Sequence, residues 1–269
     1  MKKILTLLLA AVMAFSFTGC AVERPNGMVS YDFNKMSMDF IQLSEPKNGD
    51  TIAVIDTDYG EIRAVLYPQY APETVQAFID NANSGKYNNM PVKGVSEDMY
   101  FLTGGWENDK GEYVGRTDDK QLVMNEYTPE LWPYRGALMS FSEKTGYSDA
   151  RWLICNTDKE NVTEEAINRL IAETQNSSGK SAEELAKIEK LMKTFLEKGG
   201  LFAVSGERTV FGQTYEGLDV VEKLTHIPTN EDGSAKETVL IKSVTISAYE
   251  GGSSSADSTD STESANSPQ

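Results

Sequence analysis

Short runs of β-branched and apolar residues, separated by turns that contain glycine, fill most of the middle of this 269-residue chain. The first two runs, 51–56 and 61–67, are joined by Asp58-Tyr59-Gly60, a combination typical of a tight hairpin. Further strands are predicted at 99–103, 137–142, 151–155, 201–204, 209–213 and 239–248. Many short strands with few helices predict a mainly β domain, built as a closed barrel or a sandwich.

Two helical stretches interrupt the strands. Pro72 opens the first, which places an apolar face along one side and ends at Ser84-Gly85. The second, 161–196, is divided by a polar turn; its second half begins with a capping box, Ser181 and Glu184, and stops at Gly199-Gly200. We interpret 156–199 as a helical hairpin inserted between two strands of the β domain, which itself extends over 51–249.

The start of the chain has the composition of an export signal. Residues 1–19 combine two lysines with an apolar run that is too short for a membrane-spanning helix, as in a secretory signal peptide. The small residues Thr18-Gly19 before Cys20 resemble a bacterial lipobox. We therefore expect lipid attachment at Cys20 and an extracytoplasmic protein anchored to a membrane. The alternative is a plain signal peptide followed by an incidental cysteine.

The segments that flank the β domain look different from it. Residues 20–50 are mixed in character and are expected to form a tether, with a short ordered piece around 36–43. Residues 250–269 consist almost wholly of small, polar and acidic residues. Because such a segment has little to bury, we expect an acidic, serine-rich disordered tail.

The charge and the scarce cysteine and histidine residues narrow the functional classes. The net charge of −16 argues against nucleic acid as a partner, since binding to phosphate backbones depends on basic surfaces. Cys155 has no second cysteine to pair with once Cys20 is lipidated, and we expect it to be a buried thiol. His226 is the only histidine, so no metal site is predicted. We expect no cofactor and a monomer.

An ordered set of motifs resembles the cyclophilin family of peptidyl-prolyl isomerases. The set runs, in family order, through Asp58-Tyr59-Gly60, Tyr67-Pro68, Ala71-Pro72-Glu73-Thr74-Val75, Ser84-Gly85-Lys86-Tyr87, Gly104-Gly105, Arg135-Gly136-Ala137-Leu138, Thr209-Val210-Phe211-Gly212 and Glu216-Gly217-Leu218-Asp219-Val220-Val221. The resemblance covers 51–155 and 201–248. It implies an eight-stranded antiparallel barrel closed at each end by a helix, with a substrate groove on its outer face.

Isomerisation of an X-Pro bond needs no covalent chemistry, since the barrier of about 18–20 kcal/mol comes from amide resonance. A donor that is aimed at the prolyl nitrogen as the bond twists stabilises the transition state more than the ground state. In cyclophilins an arginine has this role, and the resemblance places Gly94 at the position of that arginine. The neighbouring Lys93 stands at the position of the family's histidine. The activity is therefore harder to predict than the fold.

The other groove positions implied by the resemblance are also altered. Tyr100 and Phe101 stand at apolar pocket positions, Thr103 replaces a glutamine, and Leu153 stands at a phenylalanine of the proline pocket. Phe141 replaces a small residue, which predicts a partly filled groove. Further departures are Ala203 at a common tryptophan and Arg208 at a common histidine.

Arg151 stands at a groove glutamine, and the sequence leaves two interpretations open for it. Its guanidinium is a candidate catalytic donor that replaces the lost arginine from a neighbouring strand. Alternatively, it is a solvated groove residue or forms an ion pair with Asp149 or Glu143.

Three functions compete at this point. The first is a membrane-anchored isomerase that acts on proline-containing segments of secreted or envelope proteins. The second is a non-catalytic module that binds polypeptides in the groove or at the hairpin. The third is an envelope assembly or spacer protein. Gly94 favours binding over catalysis, whereas the retained apolar residues favour recognition of proline or another apolar side chain.

Overall fold

The computed structural model describes residues 32–159, 164–176 and 179–251. The expected signal peptide, Cys20 and most of the expected tail lie outside these residues. The strands are β1 Thr51–Thr57, β2 Gly60–Leu66, β3 Met90–Pro91, β4 Gly94–Ser96, β5 Tyr100–Thr103, β6 Trp106–Glu107, β7 Tyr113–Val114, β8 Val123–Met124, β9 Ala137–Ser140, β10 Tyr147–Ser148, β11 Trp152–Cys155, β12 Val210–Glu216 and β13 Leu240–Ala248. The helices are α1 Pro72–Asn83, α2 Glu164–Gln175, α3 Ala182–Lys198 and α4 Leu218–Thr225.

The main sheet is antiparallel and has the strand order β3-β13-β1-β2-β12-β9-β11-β5-β4. Its two edge strands are consecutive parts of one segment, 90–96. Within this segment the Val92 amide donates to the Val239 carbonyl on the β13 side, and the Lys93 amide donates to the Leu102 carbonyl of β5. The sheet therefore closes on itself, and the split strand counts once, which gives the expected eight-stranded barrel.

Side chains alternate between the inside and the outside of the barrel, as the period of a strand requires. Ile62, Ala64 and Leu66 of β2 point into the main core, whereas Val65 belongs to a second cluster on the outer side. The interior also contains Phe101, Trp152, Ile154 and Phe211, among others. This packed interior leaves the outer face as the place for a groove.

Helices α1 and α4 pack onto the barrel interior and cap it. Val75 and Phe78 of α1 and Val221 of α4 are buried in the main core. The N-terminus of α1 has no side-chain cap of its own, because Ala71 precedes Pro72. Instead, the Glu126 carboxylate accepts hydrogen bonds from the amides of Glu73 and Thr74, at 3.1 and 2.8 Å. This distant cap joins the 123–128 loop to the first helix.

The expectation of a tether is wrong for residues 32–50, although the short ordered piece expected around 36–43 is present, with a 3-10 turn at Ile41–Leu43. Phe33, Met36 and Phe40 are buried in a cluster with Trp132 of the barrel and Phe195 of α3. The side chain of buried Gln42 donates to the Trp132 carbonyl and accepts from the Trp132 amide. The apolar spacing in 33–40 is too short to predict burial on its own, because its partner surface comes from distant segments.

The helical hairpin forms as expected, with α2 and α3 packed side by side. Its capping box is present, since the Ser181 hydroxyl accepts from the Glu184 amide and the Glu184 carboxylate accepts from the Ser181 amide. The buried face of α3 packs against the N-terminal segment rather than against the barrel interior. None of the helices in the described part of the chain combines the length and apolar composition needed to cross a bilayer.

The strand expected at 201–204 is wrong. Residues 202–204 form a short 3-10 turn, in which Phe202 packs among Trp132 and Phe195. The Leu201 amide donates to the Pro133 carbonyl instead of joining the ladder of the main sheet. Phe202 is thus buried among the residues that pack the helical hairpin, which we call the hairpin cluster, whereas Val204 packs against the cluster on the outer side of the barrel.

Candidate functional site on the outer face of the barrel

A row of outward-facing residues crosses five neighbouring strands. Gly94 pairs with Leu102, Leu102 with Leu153, Leu153 with Met139, and Met139 with Val210. We call this row, together with Tyr100, Phe141, Arg151 and Arg208 beside it, the outer face. It is the surface on which the expected groove would lie.

Phe101 and Thr103 do not belong to this face. Phe101 is fully buried in the barrel interior, where its ring meets Trp152 edge-on. Thr103 is also fully buried, and its hydroxyl donates to the Pro91 carbonyl. The expectation that both contact substrate is therefore wrong. Because side chains alternate with a period of two, a shift of one residue in the register of β5 reverses the facing of every residue in that strand.

Tyr100 and Leu102 are the residues of β5 that point outward, and both are partly exposed. Leu102 was not predicted as a site residue. The alternation within β5 could have suggested it, had the register been known. Leu153 lies where it was expected, on the outer face, but only 4 % of it is exposed. Tyr100, Leu102, Phe141 and Val204 pack against the cluster to which Leu153 belongs, so little of Leu153 is open to a ligand.

Gly94 is on the outer face. A Cβ atom built there would lie 3.4 Å from the Cβ of Leu102, an ordinary contact, and the backbone does not require glycine. A side chain at this position would therefore project over the row of apolar residues. There is room for a side chain at position 94, but glycine itself offers no side-chain hydrogen-bond donor there.

Arg151 is almost wholly buried, with 1 % of its side chain exposed. Nε donates to Asp149 Oδ1 at 3.0 Å, and Nη2 donates to Asp149 Oδ2 at 2.6 Å. Nη1 donates to the Tyr113 carbonyl at 3.0 Å, and both terminal nitrogens donate to the two oxygens of Glu143. Because a guanidinium has five N–H groups, every donor of Arg151 is engaged.

This arrangement decides between the two interpretations of Arg151. Burial lowers its pKa, but the hydrogen bonds that it donates to Asp149 and Glu143 outweigh burial and raise the pKa above its ordinary value. The side chain has no free donor for a substrate. The expectation of a relocated catalytic donor at Arg151 is wrong in this structure, and the ion-pair alternative describes it.

Asp149 anchors a wider network of charges beside the groove. Its side chain is fully buried and also accepts from Arg116 Nη1 at 3.1 Å. Arg116 and Lys144 both bind Asp119, at 3.2 and 2.9 Å. The network fixes the loops 113–119 and 142–149 against the end of β11.

Phe141 is partly exposed and lies between two guanidinium groups. It directly follows β9, and β9 runs between β11, which begins after Arg151, and β12, which begins after Arg208. The Cζ of Arg151 is 4.9 Å from the ring centroid, and the Cζ of Arg208 is 4.2 Å from it. Such contacts are favourable because the face of an aromatic ring is negative. The ring occupies space on the outer face, as the sequence predicted, and positions Arg208 at the same time.

The other groups in the described residues that could be nucleophiles or metal ligands are either buried and unreactive or too far apart to form a site. Burial raises the pKa of the Cys155 thiol to about 11, so it is a poor nucleophile. No group of three or more acidic, histidine or cysteine side chains in 32–159, 164–176 or 179–251 is placed to hold a metal ion. The chemistry of the outer face is that of apolar contact, aromatic rings and guanidinium donors.

Comparison with known proteins now identifies the fold. The family model "Cyclophilin type peptidyl-prolyl cis-trans isomerase/CLD" matches residues 52–246. The chain belongs to the cyclophilin family. The match spans the barrel and includes the helical hairpin between β11 and β12, so the hairpin is an elaboration of a cyclophilin domain.

Individual relatives agree with this assignment. A "Putative peptidyl-prolyl cis-trans isomerase" of Staphylococcus saprophyticus is 25% identical over 206 residues, which are 76% of this chain and 96% of the relative. "Peptidyl-prolyl cis-trans isomerase B" of Escherichia coli is 26% identical over 196 residues, which are 71% of this chain and 96% of the relative. A solved cyclophilin of Cryptosporidium parvum has a TM-score of 0.51 and 17% identity, covering 75% of this chain and 99% of that one.

Among cyclophilin groove positions, Arg208 is the functional candidate that sequence reasoning did not select. Its replacement of a common histidine was visible in the sequence, but nothing there indicated whether its charge was paired. The structure leaves it partly exposed on Phe141, without an ion pair to any described residue. Family membership makes the isomerisation of X-Pro bonds the reaction class of this fold.

Proposed function

We propose that this chain is a membrane-anchored, extracytoplasmic cyclophilin-type folding factor with a degenerate active site. It would bind proline-containing segments of secreted or envelope proteins and isomerise them far more slowly than a cyclophilin with its arginine. One observation carries the proposal: the outer face offers no side-chain donor at Gly94, while every donor of Arg151 is engaged.

The expected loss follows from how the reaction is catalysed. One preorganised donor is typically worth about 10²–10³ in rate, which is roughly 3–4 kcal/mol of transition-state stabilisation. Binding depends instead on apolar and aromatic contacts, and Tyr100, Leu102 and Phe141 remain partly exposed to supply them. Binding should therefore survive better than turnover.

Restoring the donor tests the proposal. Gly94→Arg in the full-length chain should raise the rate of cis–trans exchange on a proline peptide, measured by exchange NMR, by tenfold or more. Ser96→Arg is the matched control, because it adds the same charge two residues along the same face of β4 and should leave the rate unchanged. Wild-type turnover equal to that of an arginine-bearing cyclophilin would show that the site is not degenerate.

A non-catalytic binding module is the second candidate. The missing donor at Gly94 favours it, since apolar and aromatic contacts on the outer face remain available for binding. The two candidates separate in the same NMR experiment. Peptide binding without measurable exchange, in both wild type and Gly94→Arg, would establish the binding module.

The location is part of the proposal and rests on Thr18-Gly19-Cys20 alone. Cys20→Ala should release the protein from the membrane fraction or block its processing, since no acyl chain can then be attached. Unchanged membrane fractionation of Cys20→Ala would refute lipid anchoring at Cys20.

A further inference from the structure

Arg208 differs from the other arginines of the described residues. Each of the others, Arg63, Arg116, Arg135, Arg151 and Arg169, forms at least one ion pair. Arg208 forms neither a hydrogen bond nor an ion pair through its guanidinium with any residue in 32–159, 164–176 or 179–251. Its five N–H groups are therefore available to a ligand.

The setting of Arg208 makes this availability significant. Its guanidinium lies over the ring of Phe141 and is partly withdrawn from water. Burial is also the main reason that its pKa is lowered, although an arginine stays charged. A partly desolvated cation with free donors gains more from an anionic acceptor than an exposed one does, because the dielectric screening is weaker.

The acidic groups that act on this charge, Glu207 and Glu143, form no ion pair with Arg208. Glu143 is bound through both oxygens by Arg151, on the other side of Phe141. Glu207, the neighbour of Arg208 in sequence, is exposed and makes no ion pair with it. Arg208 is thus a local positive site in a chain whose net charge is −16.

We propose that Arg208 is a specificity-determining residue that binds a carboxylate of the polypeptide in the groove. The proposal rests on the proposed polypeptide-binding function. The favoured segment would carry an acidic side chain close to the apolar residue that packs against Tyr100 and Phe141. A carboxylate fits better than a main-chain carbonyl, because its two oxygens match the planar fork of the guanidinium.

The acidity of the whole chain does not oppose this selection at contact. Repulsion between exposed charges is screened beyond about 8 Å at physiological ionic strength. The ion pair with Arg208 forms at hydrogen-bonding distance, where screening is weakest. The preference for acidic segments should nevertheless fall as salt is raised.

The test uses the full-length chain and acetylated, amidated proline peptides in which a single residue near the proline is either Glu or Gln. The position is scanned over the two residues before and the two after the proline, and Kd is measured by fluorescence anisotropy. Wild type should bind the Glu peptide at least about tenfold more tightly than the Gln peptide at one position. Arg208→Gln should reduce that ratio to within about twofold.

Two further variants make the result specific. Arg208→Lys should keep part of the preference, since it retains the charge but not the fork, and it also serves if Arg208→Gln fails to fold. Arg169→Gln removes a paired arginine of α2 and should bind as wild type does. These variants distinguish a contact at Arg208 from a change in net charge.

The outcomes separate this inference from the proposed function. If wild type binds both peptides with equal Kd at every position, or if the preference persists in Arg208→Gln, the carboxylate role of Arg208 is refuted while polypeptide binding stands. Equal weakening of Glu and Gln peptides by Arg208→Gln would assign the residue to a main-chain carbonyl and also refute it. If wild type binds no peptide, the proposed function fails as well.

Discussion

Replacing Arg151 by glutamine should destabilise the fold rather than remove catalysis. The substitution leaves Asp149, whose side chain is fully buried, without its principal partner. Removing one member of a buried ion pair typically costs about 3–5 kcal/mol, because the other charge stays buried. Arg116, 3.1 Å from Asp149, retains part of the compensation. We therefore expect the free energy of unfolding to fall by about 3 kcal/mol.

For a domain of this size, that loss corresponds to a decrease in Tm of about 6–12 °C. Thermal and urea denaturation followed by circular dichroism would measure it, with Arg169→Gln as the control for an exposed ion pair. The double variant Arg151→Gln/Asp149→Asn should recover much of the loss, because it removes the stranded charge. A decrease in Tm below 2 °C for Arg151→Gln would refute the structural role assigned to this arginine.

The pH dependence of stability tests the other ion pair of Arg151, the one with Glu143. Hydrogen bonding from Arg151 lowers the pKa of Glu143, with burial acting in the opposite direction. A carboxyl group whose pKa is lower in the folded state stabilises that state above its unfolded pKa, and this stability is lost as the pH falls. The difference in stability between wild type and Arg151→Gln should therefore narrow below about pH 4. A difference that stays constant from pH 7 to pH 3 would contradict the ion pair.

Three other predictions test the packing around the site. Gly115→Ala should destabilise the protein by several kcal/mol, because the new Cβ would lie 2.0 Å from Asp149 Oδ1, an atom that its arginine partners hold in place; native-like Tm would contradict this contact. Gln42→Ala should cost about 1–3 kcal/mol in urea denaturation, since it leaves the buried main-chain amide of Trp132 unpaired, whereas exposed Gln69→Ala should cost little. Deletion of 160–198 with a short linker should leave a barrel that still unfolds cooperatively, at a lower Tm because the hairpin cluster is lost; an unfolded chain would place the hairpin in the essential core.

The candidate site was predictable only where family motifs located it. The resemblance selected Gly94, Tyr100, Phe141 and Leu153, and the structure brings these four residues to or beside one face of the barrel. The resemblance misplaced Phe101 and Thr103, since a one-residue difference in a loop reverses which side of a strand faces out.

Local interactions explain what the sequence alone determined. The capping box at Ser181, the proline at the start of α1 and the glycine after α3 act within one helical turn, so short motifs suffice to predict them. The alternation of apolar residues in β2 likewise predicts a strand with one buried side.

Long-range interactions decided the features that the sequence did not predict. The burial of residues 33–40, the cap that Glu126 supplies to α1, and the pairing of Arg151 all join segments that are distant in sequence or meet only across strands. Whether an arginine is paired or free depends on which carboxylates the fold brings within about 3 Å of it, and no spacing in the sequence encodes that distance. Arg151 and Arg208 have chemically identical side chains. Their tertiary neighbours alone engage every donor of Arg151 in the fold and leave the donors of Arg208 available to a ligand.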